Sequence, residues 1–118
     1  MPINLSHMIS SGEIWLIDFN PSVGSEQSGR RPAVVISGNA MNNNYNLSIV
    51  TPLTTSIKNM PGSVQLTPNE TNNLNKNSEV LIIHVKSVSH HRFHKKIGVI
   101  SISELSKIKQ NINKIFKY

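Results

Sequence analysis

Short apolar stretches separated by polar turns run through most of the chain and predict a mainly β fold. β-Branched and aromatic residues concentrate in segments bounded by Gly, Pro, Asn or Ser. This pattern predicts strands at residues 13–19, 31–38, 47–54, 63–67, 79–88 and 99–103. It predicts turns or loops at 39–46, 58–62 and 68–78. Strands this short favour a small, strongly curved sheet or a barrel.

The C-terminal segment follows a helical pattern instead. Apolar residues recur at intervals of three and four positions, at Leu105, Ile108, Ile112 and Ile115. Ser101 and Glu104 fit a capping box, in which each side chain accepts a hydrogen bond from the other residue's backbone N–H. The predicted fold class is therefore α+β, mainly β, with a C-terminal amphipathic helix. We interpret residues 1–118 as a single domain with a polar leader at 1–11.

Composition narrows the classes of protein that remain. The chain has no cysteine, which excludes disulfides and thiolate metal sites. No apolar run approaches the ~20 residues that a membrane span needs. The N-terminus lacks the basic region and the long apolar stretch of a signal peptide. We therefore expect a cytoplasmic protein that does not associate with membranes.

Positive charge is concentrated in the second half of the chain. The formal net charge is +6, yet residues 1–57 hold two Arg against three acidic residues, a net charge of −1. Residues 58–118 hold ten Lys and Arg against three Glu, a net charge of +7. A segment with this much positive charge suits a polyanionic partner, either a nucleic acid or an acidic peptide. A merely solvated surface explains the charge equally well.

A histidine cluster, His90, His91 and His94, could offer imidazoles to zinc. Its neighbours Arg92 and Lys95 are positive, which opposes a divalent cation, so no metal site is expected. The chain also lacks a glycine-rich phosphate loop before a helix and a nucleophile elbow. Common nucleotide-binding folds and α/β-hydrolases are therefore not indicated.

The stretch "GSEQSGRRP", residues 24–32, places a carboxylate, an amide and two guanidinium groups at the start of an apolar strand. A loop stabilised by local ion pairs, with Glu26 bonded to Arg30 or Arg31, would explain these residues alone. Two later motifs suggest more than that. "VTPLTT", residues 50–55, puts hydroxyls at another strand end, and "VKSV", residues 85–88, adds a Lys and a Ser.

Together these motifs resemble the MazF/PemK family of toxin endoribonucleases, in the family's order. The resemblance covers about residues 12 to 116 and includes the terminal "KKIGVISISELSKIKQNINKI". It implies an SH3-like β-barrel of the CcdB/PemK/MazF type and a homodimer. It further implies metal-independent, sequence-specific cleavage of single-stranded RNA without a cofactor, blocked by a cognate antitoxin with an acidic tail.

The resemblance also implies roles for individual residues. Arg31 would stabilise the charge on the phosphorus centre, and Thr54 would donate its hydroxyl to phosphate oxygens. Of the six acidic residues, only Glu26 lies inside the motif, so it is the available base or the residue that orients the arginine. These three form the predicted catalytic set. The predicted RNA-binding set consists of Ser25, Gln27, Ser28, Arg30, Thr55, His84, Lys86 and Ser87.

One departure from the family pattern concerns proton transfer. Many members have Asp-Gln where this chain has Ile83-His84, so a mechanism that depends on that Asp does not transfer. On a strand, Ile83 and His84 would lie on opposite faces, with His84 on the face of Lys86. His84 could then bind RNA in place of Gln or exchange a proton. The alternatives in function are a CcdB-like protein-binding gyrase inhibitor and a catalytically weakened RNA-binding module.

Overall fold

The computed structural model describes residues 8–20 and 29–117, and within these ranges the chain forms seven strands and two α-helices. The strands are β1 (Glu13–Asp18), β2 (Arg30–Val35), β3 (Leu47–Thr54), β4 (Val64–Leu66), β5 (Ser78–Val80), β6 (Lys86–Ser89) and β7 (Phe93–Val99). The helices are α1 (Asn39–Asn44) and α2 (Ile102–Ile115). Single 3₁₀ turns lie at Ile82–His84 and His90–Arg92.

All strand pairs are antiparallel, in the order β4-β5-β3-β2-β1-β7, with β6 also paired to β3. The first half of β3 pairs with β6 and its last residues pair with β5. This sharing explains why the single strand predicted at 79–88 is wrong. The chain pairs with the end of β3 as β5 and with the start of β3 as β6, and the 3₁₀ turn at Ile82–His84 lies between these two strands.

Two further predictions need correction. The segment predicted as an Asn-rich turn contains α1, because the fully buried amide of Asn42 accepts hydrogen bonds from Ser37 Oγ and Ser48 Oγ, both at 2.6 Å. The strand predicted at 99–103 lies earlier, as β7. Pairing with β1 draws the basic residues into that strand, where Lys96 forms an ion pair of 2.9 Å with Glu13.

The sheet curves like a barrel, and the loop between β4 and β5 covers its open edge. Within the described residues, no strand pairing joins β4 to β7. Instead, Val99 N–H donates to the Thr71 carbonyl at 3.1 Å, and the Asn73 amide donates to the Ile97 carbonyl at 3.0 Å. The mainly antiparallel fold with a C-terminal helix is confirmed.

Alternating side chains of β1 and β2 divide the core into two clusters. Trp15, Ile17 and Val35 belong to one cluster, whereas Ile14 and Val34 belong to the other. Helix α2 packs on the second cluster through the fully buried Ile108. The predicted capping box is present, with Glu104 N–H donating to Ser101 Oγ at 3.1 Å and Ser101 N–H donating to Glu104 Oε1 at 2.9 Å. Neither described helix is long and apolar enough to cross a membrane.

Candidate active site

Strand pairing brings Arg31 and Thr54 to one place. In β2 and β3, Ala33 pairs with Pro52 and Val34 pairs with Thr51. The same register, continued toward the start of β2, sets Arg31 opposite Thr54. Residues directly opposite one another in an antiparallel pair present their side chains on the same face of the sheet. Two residues that are distant in sequence therefore share one face by the geometry of the sheet.

Arg31 and Thr54 line two adjoining depressions, which we call together the β2–β3 groove. One has a volume of about 290 Å³ and includes Arg30, Arg31, Thr54, Thr55, Ser56 and Ser78. The other has a volume of about 330 Å³ and includes Arg31, Thr54, Ser56, Lys58, Met60 and His84. The groove thus contains four residues of the predicted sets besides Thr54: Arg30, Arg31, Thr55 and His84. Its cationic side chains suit an anionic ligand.

The hydroxyl of Thr54 is oriented by the turn that follows β3. Ser56 N–H donates to Thr54 Oγ1 at 3.1 Å. A hydroxyl that accepts in this way still has its own hydrogen to donate. Thr54 is half-buried, as is Arg31. Both can therefore reach a ligand in the groove while their backbones are held by strands.

His84 reaches the groove because residues 82–84 form a turn instead of a strand. Its backbone N–H donates to the Leu81 carbonyl at 3.0 Å, and Thr51 Oγ1 donates to that carbonyl as well. The prediction that His84 shares a strand face with Lys86 is therefore wrong. The turn directs His84 to the groove that contains Arg31 and Thr54.

Lys86 and Ser87 line a different depression of about 260 Å³, the β6 groove, together with Asp18, Phe19 and Arg92. The Lys86 ammonium lies 5.9 Å from the centroid of the Phe19 ring. Arg92 donates to the backbone carbonyls of Asp18, at 3.3 Å, and Asn20. The predicted RNA-binding residues are thus divided between two grooves.

Glu26, Ser25, Gln27 and Ser28 lie outside the described residues. The chain on either side of them is held together. Phe19 N–H donates to the Gly29 carbonyl, and Gly29 N–H donates to Asn20 Oδ1, both at 2.9 Å. Asp18 and Arg30 pair across β1 and β2. The connection that contains the "GSEQ" motif therefore leaves the sheet after Asp18, at the end of β1, and rejoins it at Arg30, one residue before Arg31.

Sequence reasoning also missed Lys58 and Met60, whose side chains line the groove, and the buried Glu79 behind them. Glu79 is fully buried on β5, where it accepts hydrogen bonds from Lys58 N–H at 2.9 Å and Met60 N–H at 2.8 Å. The bond from Lys58 N–H, followed by that from Ser63 Oγ, lowers the pKa of Glu79 below its usual value, although burial opposes the shift. The only signal in the sequence is an acidic residue at the start of the apolar run "EVLII".

The histidine cluster does not come together as a metal site. His90 is buried, and its Nε2 lies 2.8 Å from Ser48 Oγ, whereas His91 and His94 are exposed. Burial lowers the pKa of His90. Across residues 8–20 and 29–117, no group of three His, Cys, Asp or Glu side chains is arranged to hold a metal ion.

Comparisons with known proteins agree with this architecture. A sequence profile described as "PemK-like, MazF-like toxin of type II toxin-antitoxin system" matches residues 10–116. The endoribonuclease toxin MazF of Escherichia coli K12 is 37% identical over 103 residues, which cover 86% of this chain and 88% of that protein.

Solved structures give the same result. MazF of Deinococcus radiodurans (Form-I) superposes with a TM-score of 0.81 at 27% identity, over 93% of this chain and 97% of the other. A MazE-MazF structure (Form-III) from the same organism gives a TM-score of 0.72 at 25% identity, over 91% and 94% of the two chains. The chain therefore belongs to the PemK-like, MazF-like family of toxins of type II toxin–antitoxin systems.

Proposed function

We propose that this protein is a MazF-type endoribonuclease toxin that cleaves single-stranded RNA at specific sequences in the β2–β3 groove. The observation that carries the proposal is that Arg31 and Thr54 line the same groove. The identity to the E. coli endoribonuclease over most of both chains supports it. The net charge of residues 58–118 suits a polyanionic substrate as well.

The reaction follows from the chemistry of RNA. The 2′-hydroxyl oxygen attacks the adjacent phosphorus, the bond from phosphorus to the 5′ oxygen breaks, and a 2′,3′-cyclic phosphate and a 5′-hydroxyl result. One proton leaves the 2′ oxygen and one reaches the departing 5′ oxygen. Because the nucleophile belongs to the substrate, its high effective concentration can replace activation by a metal ion.

Arg31 and Thr54 stabilise the negative charge that develops on the phosphate oxygens. A guanidinium group contacts two such oxygens with its planar fork, and the Thr54 hydroxyl donates a further hydrogen bond. Arginine remains protonated and is unsuited to proton transfer. His84 lines the same groove, and Glu26 belongs to the neighbouring motif; these two side chains are the candidates for moving the protons.

The proposal is tested by incubating the purified protein with a long single-stranded RNA in the presence of EDTA. We expect cuts at a recurring short sequence, with 2′,3′-cyclic phosphate and 5′-hydroxyl ends. Arg31→Ala should abolish the cuts while Arg30→Ala reduces them less. Complete loss of cleavage on chelation, or a 5′-phosphate product, would contradict the mechanism. Binding of gyrase without RNA cleavage would instead favour a CcdB-like inhibitor, and RNA binding without cleavage would favour a binding module.

The proposal also includes two protein partners, a second copy of the chain and a cognate antitoxin. The MazE-MazF structures of Deinococcus radiodurans support the second, because they pair a toxin of this fold with its antitoxin. An acidic antitoxin segment would bind across the basic surface of this protein. Such binding should weaken as salt rises, since exposed charges are screened within about 10 Å at 0.1 M. Light scattering and titration calorimetry at two salt concentrations measure both expectations.

A further inference from the structure

Glu79 is a fully buried carboxylate that no part of the proposed reaction uses. It lies on β5 opposite Thr54, and its carboxylate accepts bonds from the connection between β3 and β4. Lys58 N–H donates to Oε1 at 2.9 Å, and Met60 N–H and Ser63 Oγ donate to Oε2 at 2.8 and 2.6 Å. We call residues 58–63 the Glu79 loop.

A carboxylate is the side chain that this loop requires. Three donors converge on two oxygens, and an ionised carboxylate accepts without donating. Asn59 adopts the left-handed conformation, with φ of 54°, between the two backbone donors. A glutamine at position 79 would turn an NH₂ group toward one set of donors and lose at least one bond. The loop geometry therefore depends on the charge of Glu79 as well as on its shape.

The loop is anchored to the molecule from a second side. The buried amide of Asn111, on α2, donates to the Gly62 carbonyl at 2.8 Å. Burying a carboxylate costs free energy of desolvation, whereas burying an apolar side chain does not. A core position with only a packing role is better filled by an apolar side chain, so the charge at Glu79 calls for another role.

The side chains of the Glu79 loop contribute to the β2–β3 groove. Lys58 and Met60 line it beside Arg31, Thr54 and His84, while their backbone N–H groups donate to Glu79. Lys58 is exposed, so a phosphate in the groove can reach its ammonium group. Its position relative to Arg31 is set by the backbone bonds to Glu79.

We propose that Glu79 is a positioning residue that fixes the Glu79 loop so that the Lys58 ammonium binds an RNA phosphate next to the one held by Arg31. This inference rests on the proposed function, because it requires RNA in the β2–β3 groove. Lys58 acts as a compact point charge on the backbone of the RNA and carries no sequence information. Glu79 acts through Lys58 and does not touch the substrate.

The test measures RNA affinity against salt concentration for the wild type and for Lys58→Met, Glu79→Gln and the double variant. The probe is a short mixed-sequence RNA in which every 2′-hydroxyl is methylated, so that it binds without being cut. Glu13→Gln is the matched control. Glu13 is also a buried carboxylate that accepts from a backbone N–H, that of Ser10 at 2.8 Å, and its loss changes the net charge by the same amount.

We expect Lys58→Met to bind about two- to fivefold more weakly, the range of an exposed charge pair. The slope of log affinity against log salt should fall by about 0.7, the value for one phosphate contact on a single strand. Glu79→Gln should lower the slope equally, and the double variant should add nothing. Glu13→Gln should keep the slope or steepen it, because removing a negative charge favours RNA.

The alternative outcomes are distinguishable. If the wild type cuts no RNA, the proposed function fails. If the wild type cuts RNA but Lys58→Met keeps the wild-type slope, the inference about Lys58 and Glu79 is wrong while the function stands. The inference is also wrong if Glu79→Gln folds and behaves like Glu13→Gln. Should Glu79→Gln fail to fold, Glu79→Asp is used instead, because it keeps the charge at a shorter reach. The positioning role would be overturned if this variant keeps the wild-type slope of affinity against salt while its Lys58 amide exchanges hydrogen as fast as in the unfolded chain.

Discussion

Replacing Thr54 by valine tests whether a single hydroxyl contributes to the rate. Valine has nearly the same shape as threonine, so the substitution removes the hydroxyl and leaves the backbone of β3 unchanged. Loss of one donor to charge that develops in a transition state lowers a rate by about 10²–10³-fold, or about 2.7–4 kcal/mol. We expect a fall of that size in Thr54→Val. Thr54→Ser keeps a hydroxyl and should stay within about tenfold of the wild type.

The structure predicts that Thr54→Val lowers the cleavage rate without unfolding the protein. The hydrogen bond that Thr54 accepts from Ser56 N–H is exposed, so water can replace it. Its contribution to stability is at most about 0.5–1.5 kcal/mol, against a typical total of about 5–15 kcal/mol. Single-turnover cleavage at saturating protein, measured alongside urea unfolding, separates the two effects. A valine variant within tenfold of the wild type, or a serine variant as slow as valine, would refute the role of the hydroxyl.

Two further predictions concern stability. The pKa of Glu79 is lowered in the folded protein. The stability that its ionised carboxylate contributes is therefore fully present above about 4.5, the usual pKa of the group, and is lost as the pH falls through the lower pKa of the folded state. Urea titrations should therefore show stability falling more steeply below that pH in the wild type than in Glu79→Gln; parallel curves would contradict this. A Cβ at Gly98 would lie less than 3.0 Å from the backbone of Asn72 and Thr71, so Gly98→Ala should cost about 1–3 kcal/mol or more. Gly38→Ala, with nothing within 4 Å, should cost at most about 1 kcal/mol and serves as the control.

Elements with a local signal could be predicted from the sequence. The β-branched and aromatic residues of β1 and the periodicity of α2 express short-range preferences, and the capping box needs only Ser101 and Glu104. The expectation that Arg31 and Thr54 belong to one site came from family resemblance and not from the pattern of apolar positions. The register of β2 and β3, extended to the start of β2, and the depressions that both residues line give this expectation a geometric basis.

Elements that depend on distant partners could not be predicted. An apolar run at 79–88 has the composition of one strand, and only the sharing of β3 divides it in two. The backbone donors that make Glu79 acceptable in the core lie about twenty positions earlier in the chain. Nothing in the local sequence reports contacts of this kind.

His84 gives the sharpest case in which a missed turn changes a functional expectation. On a strand it would have followed the face of Lys86, away from Arg31; in the 3₁₀ turn it lines the same depression as Arg31 and Thr54. Among the described residues that line the two depressions of the β2–β3 groove, it is the only one of a type that commonly exchanges protons near neutral pH. We therefore expect His84→Gln to lower the single-turnover rate by about 10²–10⁴-fold, the usual contribution of general acid–base catalysis, and to remove one limb of the pH–rate profile. Affinity for the methylated RNA should change little, because glutamine can still donate a hydrogen bond.

His91→Gln, at an exposed position that lines neither groove, is the control. Near-normal turnover in His84→Gln, with the pH profile unchanged, would show that His84 only binds RNA and would leave proton transfer to the segment that contains Glu26.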